Sequence, residues 1–425
     1  MQNEFFYDFA ERMKIQGINF LNVPNLRFLE FSEDWVQYKC SDLLEFYSTN
    51  SLSWEQLDYD NNDLLNLHYG LIHVGLPTLV NVEQHNLPSV KPEFKPKNYT
   101  LCKSGDIAFA DASEDTNEVA KPIEFYDCSD KQVVCGLHTI HGRDKLNATE
   151  IGFKGYAFSS MPFHHKIRRL AQGSKIYSIS SKNFSEVTIG IPTKEEQRKI
   201  VDLLSKIDER ITTQNKIIED LKKLKNAINN NVFSREPIAW RRLDTLFSKG
   251  KAGGTPTSTN KDYYGGDIPF LSINDITRQG KYINRTENYI SQLGLENSSA
   301  WIVPTNSLIL SMYASVGLVT INEIPIATSQ AMFAMQLKDG KEIDFLYYYL
   351  NYFRYRYIHK YLETGTQSNI NADIVRGINI PDYGATRNRE ISNCLLAIDR
   401  KIENEAVVLN KYNSIKQFLL SQMFI

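Results

Sequence analysis

The chain has 425 residues, of which 42% are hydrophobic and 23% charged, with a formal net charge of −2. This composition predicts a soluble globular protein of two to three domains without a membrane span, and it argues against a stand-alone nucleic-acid binder, which usually carries a basic excess. Five scattered cysteines and an N-terminus without signal-peptide order predict a reduced, cytoplasmic protein.

The charge is distributed unevenly along the chain. Residues 1–90 hold 13 acidic and 4 basic side chains, whereas residues 143–175 hold seven basic and two acidic ones. A basic patch is therefore predicted in the second of these stretches, although the chain as a whole is not built to bind phosphates.

After a lead-in of residues 1–34, a first mixed segment covers residues 35–192. Short apolar runs bounded by turn residues predict strands in this segment, and an amphipathic pattern predicts one helix over residues 163–172. The runs are residues 71–74, 107–110, 133–137, 156–159 and 187–191.

A long helix follows over residues 193–236. Thr193 is a suitable N-cap with Glu196 three residues on, which predicts a capping box, and neither Gly nor Pro occurs from there to Phe233. About 40 helical residues would span about 60 Å, and the heptad-like stripe calls for a partner helix. The stripe includes Ile200, Leu204, Ile207, Ile211, Ile218 and Leu221.

A second mixed segment covers residues 237–382, and a second long helix covers residues 383–425. The mixed segment has strand candidates at residues 268–273, 307–312 and 331–336, and a Tyr-rich helix at 345–362. The second long helix carries a matching stripe, formed by Ile391, Leu395, Ile398, Ile402, Leu409 and Tyr412.

The two long helices are copies of one module. IVDLLSKIDERI at residues 200–211 returns as ISNCLLAIDRKI at 391–402, an ungapped offset of 191 residues. The predicted fold class is therefore α+β: two mixed α/β domains separated by two long antiparallel helices that form a coiled-coil spacer, with a pseudo-two-fold relation.

Several motifs in order resemble the specificity (S) subunit of type I restriction–modification systems, over nearly the whole chain. The motifs are VPNLRFLEFSEDW (23–35), IPTKEEQRKIVDLLSKIDERI (191–211), KAGGTPTSTNKDYYGGDIPFLSINDI (251–276), SMYASVG (311–317), TSQA (328–331) and GTQSNINADIV (365–375). The first domain departs from the pattern, since it lacks the Gly-Gly-Thr-Pro entry and has GSK (173–175) where the second has GTQ (365–367). ATRNREIS (385–392) also departs from the acidic-Gln helix start that is usual in the family.

The resemblance implies a non-catalytic subunit that reads a split target in double-stranded DNA. Each target-recognition domain would read one half in the major groove, and the helix pair would set their spacing. Two methyltransferase (M) subunits would dock beside the helices, and restriction/translocase (R) subunits would join the complex. No cofactor is expected on this chain, while S-adenosylmethionine, ATP and Mg would lie on the partners.

Side chains that can read bases or hold phosphates are predicted in both domains, with solvated loop residues as the alternative for each. The second-domain base readers are Thr255, Thr257, Ser258, Asn274, Arg278, Tyr313, Ser315 and Gln330, and the phosphate binders are Thr366 and Gln367. The first-domain candidates are Arg143, Lys145, Arg168, Arg169, Ser174 and Lys175. The helix residues expected to face outward or toward partners are Lys199, Asp202, Lys206, Asp208 and Arg210.

No metal or catalytic site is predicted. Cys128, Cys135, His138 and His141 have the spacing C-x6-C-x2-H-x2-H, which fits no usual zinc pattern. Two alternatives remain: a scaffold with two protein- or ligand-binding domains on a coiled-coil spacer, and an enzyme whose best candidate site is this Cys/His group.

Overall fold

The computed structural model describes residues 13–15, 22–60, 63–361 and 369–425. They form two compact units. Unit 1 contains the described residues up to Thr213 together with Val408–Ile425, and unit 2 contains the described residues of Gln214–Val407. Among the described residues no helix is both long and apolar enough to cross a membrane.

Unit 1 is built from short strands and short helices. Its strands are β1 (Met13–Ile15), β2 (Leu26–Phe28), β3 (Val36–Lys39), β4 (Leu44–Tyr47), β5 (Leu57–Asp58), β6 (Leu65–Leu67), β7 (Leu79–Asn81), β8 (Ser89–Val90), β9 (Ile107–Ala110), β10 (Ala112–Ser113), β11 (Pro122–Asp127), β12 (Val133–Cys135), β13 (Thr139–Asp144), β14 (Tyr177–Ser178) and β15 (Thr188–Ile191). Its helices are α1 (Cys40–Leu43), α2 (Tyr69–His73), α3 (Phe153–Phe158), α4 (Met161–Leu170) and α5 (Ser181–Ser185), with 3-10 turns at Trp54–Gln56 and Pro92–Phe94.

Two sheets organise unit 1. The five-stranded sheet has the order β4-β13-β9-β11-β7, and the four-stranded sheet has the order β12-β6-β8-β5. In the larger sheet only the β11–β7 pair is parallel. Residues 107–110 of β9 are fully buried, as is typical of a central strand covered on both faces.

Unit 2 contains the C-terminal part of the long helix α6 (Lys194–Phe233), the N-terminal part of the long helix α11 (Ala385–Gln422) and the residues between these helices. Its strands are β16 (Ala239–Arg242), β17 (Phe247–Ala252), β18 (Tyr264–Leu271), β19 (Tyr282–Ile283), β20 (Asn288–Ile290), β21 (Ile302–Val303), β22 (Leu308–Ser311), β23 (Val319–Asn322), β24 (Ile326–Thr328), β25 (Met332–Leu337) and β26 (Asn379–Asp382). Its own helices are α7 (Ile273–Gln279), α8 (Gln292–Glu296), α9 (Ile343–Arg356) and α10 (Ala372–Arg376), with 3-10 turns at Leu243–Thr245, Lys261–Tyr263, Gly340–Glu342 and Ile358–Lys360.

The large sheet of unit 2 repeats the topology of its counterpart in unit 1. Its order is β17-β25-β22-β23-β19, and again only the last pair, β19–β23, is parallel. The pairs β4/β17, β13/β25 and β9/β22 are therefore equivalent, although these segments have little sequence in common. The repetition detected in the long helices thus extends to the domains.

The long helices follow the predicted pattern. In unit 2, Gln214 Nε2 donates to the Glu405 carbonyl oxygen at 3.2 Å, and Lys225 Nζ lies 2.5 Å from Asp399 Oδ1, so the two helices run antiparallel there. The stripe residues named above are buried or half-buried, whereas Leu224, predicted to continue the stripe of α6, is 50% exposed. The predicted mixed fold class, with two α/β regions and packed long helices, is confirmed.

Two phenylalanines at the repeat offset of 191 residues, Phe233 and Phe424, complete the cores of the two units. In unit 1 the Phe424 ring lies 6.2 Å from Trp35 and 6.0 Å from Phe153, measured between centroids. In unit 2 the Phe233 ring lies 5.9 Å from Phe345 in the same way. The end of each long helix is thereby fixed to a helix of the adjoining domain.

Three local predictions were wrong. Residues 71–74 and 156–159, predicted as strands, lie in or directly after helices α2 and α3, because short apolar runs do not distinguish a buried strand from a buried helix. The capping box at α6 is incomplete: the Glu196 N–H donates to Thr193 Oγ1 at 3.4 Å, but the Glu196 carboxylate binds Arg27 instead.

Candidate nucleic-acid interface

Three neighbouring strands of the large sheet in unit 2 have one of their ends at the same edge of the sheet, where β17 and β22 finish and β25 begins. β17 ends at Ala252 opposite Phe333, and β22 ends at Ser311 opposite Met332, the first residue of β25. The loops attached to these strand ends emerge side by side. We call residues 253–258, 313–317 and 329–331 the strand-end surface of unit 2.

Glycine makes the close approach between two of these loops possible. The Gly254 N–H donates to the Thr328 carbonyl oxygen at 2.9 Å, and a Cβ at Gly253 would lie 1.9 Å from that same oxygen. The Gly-Gly-Thr-Pro loop therefore lies directly on the segment that leads into β25. As a result Thr255 Oγ1 donates to Gln330 Oε1 at 2.5 Å, and both side chains are exposed.

The loop after β22 is held in a fixed conformation. Ser315 has φ +54°, in the left-handed region, and its carbonyl oxygen accepts a hydrogen bond from Ser311 Oγ at 2.8 Å. Ser311 Oγ also accepts from the Leu318 N–H at 3.0 Å. Tyr313, exposed at the tip, thus projects from a rigid turn, which suits a side chain that must recognise a partner without first being ordered.

The structure brings together six of the eight base readers predicted in the second domain. These six residues are exposed on the strand-end surface of unit 2: Thr255, Thr257, Ser258, Tyr313, Ser315 and Gln330. Asn274, also exposed, lies in the first turn of α7, directly after β18, whose Leu271 pairs with Thr328. Arg278 lies one turn further on and forms an ion pair with Glu287.

Thr366 and Gln367 lie outside the described residues. The backbone that follows them is tied to the strand-end surface of unit 2, because the Ile370 N–H donates to the Met312 carbonyl oxygen at 3.0 Å. Both residues therefore stay predictions.

Two arginines near this surface were missed by the sequence reasoning. Arg354 Nε donates to the Val316 carbonyl oxygen at 3.1 Å, and the Arg376 guanidinium lies 5.0 Å from the centroid of the Phe333 ring. Both are half-buried and positively charged. Their place could not be foreseen because α9 and α10 reach the sheet only through tertiary packing.

Unit 1 has an equivalent surface at the same strand ends. Residues 48–50 follow β4, residues 111–113 follow β9, and residues 137–138 precede β13. We call these residues the strand-end surface of unit 1. At its centre His138 Nδ1 lies 3.2 Å from Asp111 Oδ1, and the Tyr69 ring stacks edge-on against His138 at 5.2 Å. None of these three side chains was predicted to read DNA.

Arg143 and Lys145 lie at the opposite end of β13 from this surface. Arg143 donates to both carboxylate oxygens of Asp106 at 2.7 Å, and Lys145 Nζ donates to the Ser41 carbonyl oxygen at 2.7 Å. Burial alone would raise the pKa of Asp106, but the hydrogen bonds from Arg143 and His141 outweigh it and lower that pKa. The structure therefore separates these two cations from the other candidates of the first domain.

Ser174 and Lys175 do lie near the strand-end surface of unit 1. They are exposed in the turn between Gln172 and Ser178, and Ser178 on β14 pairs with Ala112 on β10. Arg168 and Arg169 follow on α4. Arg168 donates to Asn117 Oδ1 at 2.9 Å, and Arg169 is exposed.

Asp208 on α6 does not face outward as predicted. It is half-buried, accepts a hydrogen bond from the Tyr156 hydroxyl at 2.9 Å and lies 2.6 Å from Lys416 Nζ on α11. Burial raises the pKa of Tyr156 well above its usual value, so the hydroxyl stays a donor. Lys199, Asp202, Lys206 and Arg210 are exposed, as expected.

Unit 2 repeats this arrangement with exchanged helices. Asp399 on α11 accepts a hydrogen bond from the Tyr348 hydroxyl at 2.7 Å and pairs with Lys225 on α6. Burial likewise raises the pKa of Tyr348. Each unit therefore holds one Tyr–Asp–Lys group where its two long helices meet.

Curated relatives with similar sequences are specificity subunits. The type I restriction enzyme MjaIX specificity subunit of Methanocaldococcus jannaschii is 28% identical over 177 residues, 40% of this chain and 39% of that protein. The putative MjaX specificity subunit of the same organism is 24% identical over 88% of this chain and 89% of that protein. The HindI specificity subunit of Haemophilus influenzae is 33% identical over 26% of this chain and 24% of that protein. The chain thus aligns with less than half the length of two of these relatives.

Solved structures share the fold. The type I restriction–modification S subunit from M. genitalium superposes with a TM-score of 0.56 at 16% identity, over 95% of this chain and 99% of that one. A chain from a study of complex assembly and conformational transition of the type I system gives a TM-score of 0.57 at 16% identity, over 91% and 96%.

The family model described as "Type I restriction modification DNA specificity domain" matches residues 129–223 and 236–413, well over half of the chain. The predicted family is therefore confirmed. The chain belongs to the DNA specificity family of type I restriction–modification systems.

Proposed function

We propose that this chain reads a bipartite target in double-stranded DNA, one half with each strand-end surface, for a type I restriction–modification complex. The observation that carries the proposal is that both units present the same strand ends with different side chains. Unit 2 presents hydroxyl, amide and phenol groups, which can pair with base edges in the major groove. Unit 1 presents His138 and Asp111, with Tyr69 packed against His138, so the two halves of the target would differ in sequence.

The first-domain contacts proposed here differ from those suggested by the sequence alone. We assign base reading in unit 1 to residues on its strand-end surface and phosphate contacts to Ser174 and Lys175, by analogy with Thr366 and Gln367. Arg168 and Arg169 stay candidates for phosphate contacts. Arg143 and Lys145 are assigned a structural role, because both are bound within unit 1.

The long helices would set the spacing between half-sites and dock two methyltransferase (M) subunits. Exposed charged residues on α6, among them Asp202, Lys206 and Arg210, are available to a protein partner. The near-neutral net charge of −2 fits a subunit whose partners supply part of the basic DNA cleft. Restriction/translocase (R) subunits would join the assembled complex. S-adenosylmethionine, ATP and Mg would be bound by these partners, and the complex would work in the cytoplasm.

The test is to co-express the chain with its methyltransferase subunits and map methylated adenines across a genome by single-molecule sequencing. The proposal expects a split motif with two defined halves and a constant unspecified gap. A complex that assembles but methylates no defined sequence would contradict it and favour the alternative, a scaffold with two protein- or ligand-binding domains.

A further inference from the structure

Three ligand-type side chains meet in the core of unit 1 although they are distant in the sequence. Cys102 Sγ, Cys135 Sγ and a ring nitrogen of His141 all lie within 4.8 Å of one another, and all three residues are buried. They come from the loop before β9, the end of β12 and the middle of β13. Sequence spacing instead groups Cys135 and His141 with His138, which lies exposed on the strand-end surface of unit 1.

His141 is oriented in the way of a metal-binding imidazole. Its Nε2 lies 2.9 Å from Asp106 Oδ2, and Asp106 is itself held by Arg143. Its Nδ1 is buried and has no hydrogen-bond partner among the residues that the structure describes. A buried polar atom without a partner costs free energy, whereas a metal-bound histidine typically gives its second N–H to a carboxylate. The Asp106–His141 pair has the carboxylate–histidine arrangement that is typical of a metal-bound histidine.

The separation of the thiols fits a shared metal ion better than a disulfide bond. Cys102 Sγ lies 3.5 Å from Cys135 Sγ. Two thiolates on one tetrahedral zinc ion, each about 2.3 Å from it, are about 3.8 Å apart, while a disulfide requires about 2.05 Å. Cys128 is buried in the same apolar cluster as both thiols, but its thiol is not among the ligand atoms that lie within 4.8 Å of one another.

We propose that unit 1 binds one Zn²⁺ ion through Cys102, Cys135 and His141 Nδ1. Thiolate and imidazole ligands together favour zinc over hard cations such as Mg²⁺ or Ca²⁺. Binding would displace the thiol protons to solvent as the zinc–sulfur bonds form. All three ligands are buried, so the ion would be structural. It would join the end of β12, the middle of β13 and the loop before β9.

The first test is a metal analysis of the full chain, purified under reducing conditions without chelator. We expect about one zinc per chain, and at least about a tenfold loss of zinc in Cys102→Ser and in Cys135→Ser. Matched controls are Cys40→Ser, a buried cysteine of unit 1 outside the cluster, and Cys394→Ser, an exposed one. Both should keep the zinc of the parent chain. Zinc retained at parent levels by both cluster variants would overturn the assignment.

A second measurement needs no variant and so is independent of folding defects. The parent chain, stripped of metal and reloaded with Co²⁺, should show thiolate-to-cobalt charge-transfer absorption, and its thermal midpoint should fall when a strong zinc chelator is added. A parent chain that carries no zinc and gives no such absorption would refute the site. So would mass spectrometry that finds Cys102 and Cys135 joined as a disulfide in the freshly isolated protein. None of these readouts depends on DNA recognition.

Discussion

Lys416 Nζ lies 2.6 Å from Asp208 Oδ1 in unit 1, and the equivalent pair in unit 2 joins Lys225 to Asp399 at 2.5 Å. Lysine and aspartate are each repeated at an offset of 191 residues, so each long helix carries one aspartate and one lysine of the exchanged pairs. The antiparallel register of the helices within each unit thus depends on identical chemistry, and sliding one helix by a turn would break the pair.

The first prediction concerns the strength of this pair in unit 2. The side chains of Lys225 and Asp399 are 24% and 18% exposed, so we expect a coupling free energy of about 1–3 kcal/mol in a double-mutant cycle of Lys225→Met and Asp399→Asn. The measurement is urea unfolding of the full chain. The control is the cycle for Glu219 and Lys223 on the same helix, which are 64% and 68% exposed and should couple much more weakly because solvent screens the pair. Equal coupling in both cycles would refute the structural role.

The second prediction concerns the buried pair that replaced the expected capping box. Arg27 and Glu196 are 3% and 1% exposed and form two hydrogen bonds of 2.7 Å. Glu196→Ala should lower the free energy of unfolding by about 3–5 kcal/mol, because it leaves the arginine buried and unpaired. The double variant Arg27→Met, Glu196→Leu should cost clearly less. The same unfolding assay on the exposed pair Lys39 and Glu186 should detect almost no change, and a cost there equal to that at Glu196 would argue against the burial effect.

The third prediction concerns the glycine under the strand-end surface of unit 2. A Cβ at Gly253 would lie 1.9 Å from the Thr328 carbonyl oxygen, so Gly253→Ala must displace backbone. We expect a loss of about 1–3 kcal/mol in unfolding free energy and weaker methylation of targets through the half-site of unit 2. Gly340→Ala is the control, because its Cβ would meet no atom of the described residues within 4 Å. If both variants behave alike, the close approach is not needed.

The fourth prediction is a pH dependence of stability in unit 1. Burial lowers the pKa of His164 from 6.5 to about 4. The unfolded chain therefore takes up a proton at this residue below about pH 6.5, while the folded chain does so only near pH 4. The stabilisation is complete above the unfolded pKa and is lost as the pH falls toward the folded one, on the order of 3 kcal/mol.

His164→Gln should remove about one proton from the pH dependence of the unfolding free energy between these two pKa values. His165→Gln, at the neighbouring exposed position, should leave the slope as it is. The comparison is made by urea unfolding at a series of pH values. An unchanged slope in His164→Gln would mean that, between these two pKa values, this histidine is protonated in the folded chain as it is in the unfolded chain.

The fifth prediction concerns specificity. Gln330→Ala should relax base preference in one half of the methylated motif and leave the other half intact, because the side chain belongs to one strand-end surface only. The readout is the methylated motif itself, mapped across a genome. Gln336→Ala, an exposed glutamine near the other end of β25, should leave the motif unchanged. A uniform loss at all sequences would assign Gln330 to phosphate binding or to folding.

The long helices were predictable because their information is local. A stripe of apolar residues at helical spacing and a repeat at an offset of 191 residues suffice to identify α6 and α11. The same stripe indicated which side chains are buried, and Leu204 and Leu395 at equivalent positions are indeed fully buried.

The positions of the functional side chains within the two domains were much less predictable. The motifs placed Thr255 and Gln330 correctly on one surface, but no local pattern shows which end of β13 is equivalent to the start of β25. Arg143 was therefore chosen for its charge, although tertiary pairing commits it to Asp106. Cys135 and His141 were considered as ligands from the sequence, but Cys102 was missed for the same reason, since strand pairing and not spacing brings the three together.

The division of the long helices between the units has a consequence for synthesis on the ribosome. Unit 1 is completed by Val408–Ile425, whose Phe424 packs against Trp35, and these residues are translated after all of unit 2. Unit 2 is continuous in the chain and can close as soon as Val407 has emerged. The part of the protein made first is thus the last to finish folding, and it waits with an open apolar core while the whole of unit 2 is translated. A nascent chain stalled before Val408 would hold a finished second recognition unit behind an unfinished first one.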